Sequence, residues 1–310
     1  MLNAISEDEV RSSVNINEVI DAIRDVFARD FRSTLHMPVR TQLNVGSCVL
    51  LLMPCHDTSL GAAGVKIVTA NPQTGVNATY VLLDPATART LAIIEANYLT
   101  DLRTAATSAV ATDLLARGDV ETLGIFGSGR QAIAHLIVLL HARAFRRFLV
   151  CGSPRSDLRS FANRMKQEHG IEVEVVNAET CARESDVLCT CTTAHGPLFD
   201  GRLLRPGTHL NLVGSFQTHT REVDDETVKR SRVVVDTYEG ALAEAGDLLI
   251  PLRKGAIKRD HILADLHELA SGGKTGRTAP DDITLFKSVG CALEDLVTAM
   301  LAYKKLAAQF

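Results

Sequence analysis

The run Leu123-Gly124-Ile125-Phe126-Gly127-Ser128-Gly129-Arg130-Gln131-Ala132 passes from an apolar strand pattern into a G-x-G-x-x-A loop and on into a helical pattern. That strand–loop–helix context gives an otherwise weak glycine motif its meaning as a dinucleotide site. Gly127 permits the tight turn, Gly129 lets backbone amides approach a pyrophosphate, and Ala132 lets the helix lie close to the sheet. The start of the helix adds amide donors and a partial positive charge. Gly127, Ser128, Gly129, Arg130, Gln131 and Ala132 are therefore the expected phosphate-binding residues.

Outward from this loop the alternation continues. RQAIAHLIVLLHARA predicts a helix, RRFLVC a strand and SDLRSFANRMKQEH a helix, and IEVEVV, DVLCTC, HLNLVG and RVVVD predict further strands. Near-continuous apolar strands alternating with helices predict an α/β fold with a doubly wound parallel sheet of Rossmann type. When such a sheet reads NAD, its second strand ends in an acid about 20 residues past the loop, which binds the ribose hydroxyls. Here the strand is followed by Gly152-Ser153-Pro154-Arg155, with no acid before Asp157. Ser153 and Arg155 suit a 2′-phosphate that a carboxylate would repel. The expected cofactor is NADP(H), with NAD(H) as the alternative.

Upstream the texture differs. The opening segment predicts a helix with Asn17 as its N-cap and with Val19, Ile20, Ile23, Val26 and Phe27 at helical spacing. VRTQLN, SCVLLLMP, AAGVKIVTAN and ATYVLLDP are β-rich runs broken by Gly, Asn, Pro and Ser, which reads as a meander rather than a nucleotide-binding unit. LTDLRTAATSAVATDLLAR returns to helix, with Leu102, Ala105, Ala106, Ala109 and Val110 on one side. The last run, CALEDLVTAMLAYKKL, is a long amphipathic helix beyond the sheet pattern. The 310 residues suffice for two domains. An α+β substrate and dimerisation domain is expected over 1–111, with 291–310 packing back on it, and the Rossmann domain over 112–290.

Composition narrows the function classes. A net charge of −4 gives no electrostatic case for nucleic acid or an anionic membrane. MLNAISEDEVRSS has no basic segment leading into an apolar run, so no secretory signal is expected. No run approaches the ~20 apolar residues of a membrane span. Seven cysteines match no disulfide framework, and a reducing cytoplasm is the expected compartment. Cys189 and Cys191 form a C-x-C pair with His195 as the sole further ligand candidate nearby. Core packing is the expected role for both, as for Cys48, Cys55, Cys151, Cys181 and Cys291.

Several segments, in order, resemble the ornithine cyclodeaminase/mu-crystallin family: VLLLMP, GVKIVTANP, LRTAATSA, LGIFGSGRQA, LNLVGS, REVDDE and TLFKSVGCALEDLVTA. The resemblance spans nearly the whole chain. It implies a homodimer whose N-terminal halves share a β-barrel-like core, an attached Rossmann domain, and a substrate pocket between the two against the nicotinamide. Arg40, Lys66 and Arg103 match the family's pocket pattern, and Thr104, Lys287 and Ser288 fall in stretches the family places near the cofactor. The residue types suit an amino or imino acid substrate. Guanidinium groups hold carboxylates bidentately, which makes Arg40 and Arg103 expected clamps. Lys66, set in an apolar strand-like run, is the expected acid, because desolvation lowers its pKa. Surface charges or ion pairs are the alternative for all three. His219 is a second acid candidate, against the simpler reading of a solvated loop histidine.

Two departures from the family pattern shape the expected activity. Cyclodeaminases carry an aspartate where this chain has Phe216 and a glutamate where it has Leu51, just before Leu52-Met53-Pro54. Cyclising ornithine needs a carboxylate to handle the distal amine. The expectation is therefore reduction of small α-imino acids, such as Δ1-pyrroline-2-carboxylate, by a reduced nicotinamide cofactor. The alternatives are ornithine or lysine cyclodeaminase, hydroxyproline dehydratase, an alanine-dehydrogenase-like enzyme, and a cofactor-dependent binding protein of crystallin type.

Overall fold

The computed structural model describes residues 3–71, 73 and 75–308. The chain divides into two compact units, one formed by residues 1–107 with 290–310 and the other by 108–289.

The first unit opens with β1 (Asn3–Ile5), α1 (Glu7–Ser13) and α2 (Ile16–Ala28). Asn15, not Asn17, caps α2: its side chain accepts from the Asn17 amide at 2.9 Å, and Glu18 closes a capping box. All five apolar residues expected inside this helix are buried. Next come β2 (Leu35–His36), β3 (Thr41–Val45), β4 (Cys48–Asp57), β5 (Ala62–Asn71), β6 (Gly75–Leu83) and β7 (Thr90–Glu95). β4 to β7 form the antiparallel meander, β2 and β3 pair with β4, and β1 adds to β7 in parallel. Alternation along β4 and β5 buries Leu51, Met53 and Cys55 on one strand and Gly64, Lys66 and Val68 on the other. α3 (Asn97–Leu115) follows, and the division between the units falls inside it.

The second unit holds β8 (Thr122–Phe126), α4 (Arg130–Leu139), β9 (Arg147–Cys151), α5 (Leu158–His169), β10 (Val173–Val175), α6 (Ala178–Glu184), β11 (Val187–Thr190), β12 (His209–Leu212), α7 (Asp225–Arg230), β13 (Ser231–Val235), α8 (Tyr238–Glu244), α9 (Gly246–Arg253), β14 (Ile262–Asp265), α10 (Leu266–Ala270) and β15 (Ile283–Lys287). Its eight parallel strands run in the order β10-β9-β8-β11-β12-β15-β13-β14. The first five places are those of a Rossmann sheet. The sixth is taken by β15, the last strand in sequence, and β13 and β14 lie beyond it. β8, β11, β12, β13 and β15 are buried along almost their whole length, as the parallel-sheet reading requires.

The chain then returns to the first unit as α11 (Ala292–Ala307), which packs across β4, β5 and β6 and against α1 and α2. No helix among the described residues is long and apolar enough to cross a membrane. All seven cysteines are free, and no group of three or more His, Cys, Asp or Glu among the described residues could hold a metal ion.

Candidate active site

In the second unit the glycine loop is held by backbone geometry. Gly127 has φ +117°, a region that L side chains rarely adopt, and its amide donates to the Cys151 carbonyl at 2.8 Å. A Cβ there would sit 2.4 Å from the Cys191 carbonyl oxygen, so the loop threads closely between the ends of β9 and β11. Gly129 is different. It has ordinary φ, caps α4 without any side-chain hydrogen bond, and has nothing within 4 Å of where a Cβ would stand. Ala132 is fully buried. The backbone amides of the first α4 turn, beside an open glycine, fit a pyrophosphate.

β9 ends at Cys151, and Ser153 and Arg155 are exposed in the loop beyond it. Asp157, the nearest acid, is occupied as the N-cap of α5, accepting from the Ser160 amide at 2.9 Å.

Three residues that sequence reasoning assigned to the cofactor have polar atoms directed at the protein itself. The Lys287 ammonium is fully buried, donates to the Ser215 and Leu212 carbonyls at 2.6 and 3.2 Å, and lies 3.1 Å from Asp247 Oδ2 as a charge contact. The Ser288 hydroxyl donates to Asp236 at 3.1 Å, and that of Thr104, on α3, donates back to the Thr100 carbonyl at 2.7 Å. Lys287 thus stitches the ends of β12 and β15. Beside it lies a hub that sequence reasoning missed. The buried Glu222 carboxylate accepts from the Thr190 hydroxyl, the Thr192 amide and hydroxyl, and the Gly214 amide, at 2.7–2.8 Å. Burial and then the neighbouring Asp247 raise its pKa. The segment REVDDE contains this residue, but nothing in its spacing marks Glu222 as buried.

In the first unit, Met53, Lys66 and Tyr80 stand in register across β4, β5 and β6. α11 lies on this face and brings two acids to it. Lys66 Nζ donates to Asp295 Oδ1 at 2.8 Å. Arg103 Nε lies 2.9 Å from that same oxygen as a charge contact, and Arg103 Nη1 donates to Glu294 Oε2. Glu294 also accepts, through Oε1, from the Cys291 amide at 3.3 Å. Asp295 Oδ2 and the Tyr80 hydroxyl are buried without a hydrogen-bond partner among the described residues. Arg40 is half-buried near this cluster, with Nη2 3.4 Å from the Gly290 carbonyl.

The electrostatics follow from burial and pairing. Lys66 is 1% exposed. Its pKa falls from 10.5 to about 8, first through desolvation and then through Arg103, with Asp295 acting in the opposite direction. Burial works against the charge of Arg103 as well, but Asp295 and Glu294 outweigh it and hold the guanidinium firmly charged. Desolvation pushes the Cys55 thiol up to about 12 and the Tyr80 hydroxyl well above its ordinary range. Two buried cations and two buried carboxylates therefore balance, and the half-buried Arg40 nearby adds one positive charge. Such a cluster can hold one further carboxylate and move one proton.

The structure brings Lys66 and Arg103 onto one carboxylate, with Leu51 on the same sheet face as Lys66. Phe216 is 41% exposed in the second unit, and His219 is also exposed there. Sequence reasoning missed Glu294 and Asp295. The available signal was a pair of adjacent acids set between Leu293 and Leu296 in a helix otherwise apolar on that stretch.

The sequence model described as the ornithine cyclodeaminase/mu-crystallin family matches residues 3–309. A Δ1-pyrroline-2-carboxylate reductase of Bacillus cereus is 35% identical over 312 residues, covering 97% of this chain and 95% of that protein. The structure of Thermococcus litoralis Δ1-pyrroline-2-carboxylate reductase in complex with NADH and L-proline superposes with a TM-score of 0.95. It is 37% identical and covers 100% of this chain and 98% of that one. An archaeal alanine dehydrogenase dimer with bound NAD has a TM-score of 0.93 at 29% identity, covering 99% and 97%. With its buried lysine–arginine–carboxylate cluster and its glycine-loop Rossmann unit, this chain belongs to the ornithine cyclodeaminase/mu-crystallin family.

Proposed function

We propose that this protein reduces small cyclic α-imino acids, Δ1-pyrroline-2-carboxylate in the first place, to the corresponding amino acids with a reduced nicotinamide dinucleotide. The observation that carries this reading is the buried cluster in which Lys66 and Arg103 share one oxygen of Asp295. The cluster is balanced within itself, and the half-buried Arg40 beside it supplies the one surplus positive charge that matches a substrate with one carboxylate. The apolar Leu51 leaves no acid at that position of the sheet face for the distal ammonium of ornithine. Glu294 and Asp295 are already engaged by Arg103 and Lys66.

When bound, the cofactor supplies hydride equivalents to the imine carbon. The protein's own residues do the rest. Arg103, with Arg40, holds the substrate carboxylate, and a planar fork fixes the orientation of the molecule as well as its position. Lys66, protonated below about pH 8, keeps the imine nitrogen protonated and so makes the adjacent carbon electrophilic. The balance is one imine, one reduced cofactor and one proton giving one amino acid and one oxidised cofactor.

Gly127, Ser128, Gly129, Arg130, Gln131 and Ala132 are the proposed pyrophosphate cradle. Ser153 and Arg155 are the proposed 2′-phosphate contacts, which favours NADPH over NADH. Lys287, Ser288 and the Glu222 hub shape the strand ends around that cradle. The homodimer belongs to this reading too. β3 is exposed along its whole length, with Leu43 and Val45 uncovered, and a groove of about 510 Å³ on the same sheet is lined by Leu52, Pro54, Val65 and Leu83 among others. Apolar surface of this kind is what a second copy would cover. Seven free cysteines suit a reducing cytoplasm.

The test is cofactor oxidation across a panel of cyclic and acyclic α-imino acids, with NADPH and NADH and with the products identified. Reduction of the five- or six-membered cyclic imines supports the reading. Turnover confined to acyclic substrates formed from pyruvate and ammonia would replace it with an alanine-dehydrogenase-like activity.

A further inference from the structure

We propose that Asp295 is a positioning residue that sets both the proton donor and the carboxylate clamp, through a single carboxylate oxygen held between them. The proposal rests on the imine-reducing reading of the site and adds to it the residue that makes the site work. The geometry is specific. Oδ1 lies 2.8 Å from Lys66 Nζ and 2.9 Å from Arg103 Nε, while Oδ2 is buried and hydrogen-bonded to nothing among the described residues. Asp295 is fully buried, so its charge is balanced by these two cations and not by solvent. α11, where Asp295 sits in the first turn, packs on the strands carrying Lys66, so the helix delivers the acid to its partners as a rigid element.

The groups facing Lys66 show why Asp295 controls it. β4 offers Cys55 and β6 offers Tyr80, both neutral thiol and hydroxyl groups. α3 offers Arg103, Arg40 adds a second positive charge, and α11 offers Asp295 and Glu294. Burial, Arg103 and Arg40 all work against the ammonium, and Asp295 is the group that supports it. Glu294 is committed to Arg103 and Cys291. Without the Asp295 charge, Lys66 would release its proton at lower pH and the acid would be absent where the enzyme operates. The same loss would free Arg103 Nε and let the clamp reorient.

Asp295→Asn keeps the shape and removes the charge. The expected result is a Lys66 titration midpoint at least one pH unit below about 8. It is followed by NMR of ε-13C-lysine protein, with Lys66→Arg providing the assignment. The alkaline limb of kcat/KM should move down with it. At pH 8 the protonated fraction then drops from about half to about a tenth, so kcat/KM falls about fivefold or more, and the deficit shrinks toward pH 6. Glu294→Gln should raise KM yet leave the Lys66 midpoint in place. If Asp295→Asn does not fold, Asp295→Glu carries the test: the charge is kept, so the midpoint stays near about 8 while kcat/KM falls through displaced geometry. The proposal is overturned by an unchanged midpoint in Asp295→Asn, by an equal shift in Glu294→Gln, or by a shift of a unit in Asp295→Glu. A wild-type protein that reduces no imine would remove the activity reading, and the Lys66 titration would still decide the role of Asp295.

Discussion

The two glycines of the G-x-G-x-x-A loop offer a paired perturbation whose outcomes should differ in kind. Gly127→Ala places a methyl group on a backbone at φ +117° and 2.4 Å from the Cys191 carbonyl oxygen. Strained backbone of that sort costs roughly 1–3 kcal/mol, and forcing an atom against an immovable carbonyl adds roughly 1–3 kcal/mol. The expected loss of stability is therefore roughly 2–6 kcal/mol, before any question of cofactor arises. Gly129→Ala meets nothing within 4 Å and keeps an ordinary φ. Its cost to folding should stay near the ~1 kcal/mol by which Ala is a poorer N-cap. The open space it fills is, on this account, where the pyrophosphate approaches the α4 amides. Loss of one hydrogen bond to a charged group, about 1.5–3 kcal/mol, corresponds to a Kd raised roughly 10- to 150-fold. The assay is a thermal melt of the cofactor-free proteins beside a fluorescence titration with NADH and NADPH. Gly127→Ala should melt well below the parent, and Gly129→Ala close to the parent but with weak binding. A Gly129→Ala protein that binds both cofactors as the parent does would refute the placement of the pyrophosphate.

Other expectations follow from the same geometry. Arg155→Ala should weaken NADPH by roughly 1–3 kcal/mol while sparing NADH in the same titration, and equal losses for both would remove Arg155 from the 2′-phosphate site. Arg103→Lys should lower kcat/KM for the imine with cofactor Kd near the parent value, because a point ammonium cannot keep the fork that reaches Glu294 and Asp295. Full efficiency in that variant would leave Arg103 a purely internal ion-pair residue. The pKa of Lys66 is lowered to about 8, and in the proposed mechanism the ammonium is the acting form. kcat/KM should accordingly be level below that pH and fall tenfold per unit above it, and a profile that rises from pH 7 to 9.5 would exclude the ammonium as the acid.

Much of this was legible in the sequence where the signal is local. The G-x-G-x-x-A loop, the apolar parallel strands and the meander each follow from short-range pattern. Lys66 in GVKIV was readable as a desolvated lysine because β alternation places it among inward-facing residues. The Asn15 cap was readable as well, since Glu18 stands three residues on and forms the box, a sign that outweighs the equal capping preference of Asn17. Long-range placement was not legible. Nothing in periodicity says that β15 enters the sheet between β12 and β13. Nor does it say that Asp295 reaches a lysine 229 residues away. Acids in a first helical turn read by default as solvent-facing groups that complement the helix dipole. Only the packing of α11 on the sheet shows Glu294 and Asp295 to be interior. For the same reason Lys287 and Ser288 carried a cofactor expectation, when the carbonyls of Leu212 and Ser215 and the carboxylates of Asp247 and Asp236 meet them.

The central claim is that the cluster of Lys66, Arg103 and Arg40, with Leu51 and no further acid at that position of the same sheet face, serves imine reduction and not ornithine cyclisation. The measurement is a direct comparison on one preparation: NADPH oxidation and proline formation from Δ1-pyrroline-2-carboxylate, against ammonia and proline formation from ornithine with NAD⁺ present. The account predicts rapid cofactor oxidation with stoichiometric proline from the imine, and no ammonia from ornithine above background, because a desolvated ammonium tail without a counter-charge costs several kcal/mol. Efficient ammonia release from ornithine with no imine reduction would contradict it.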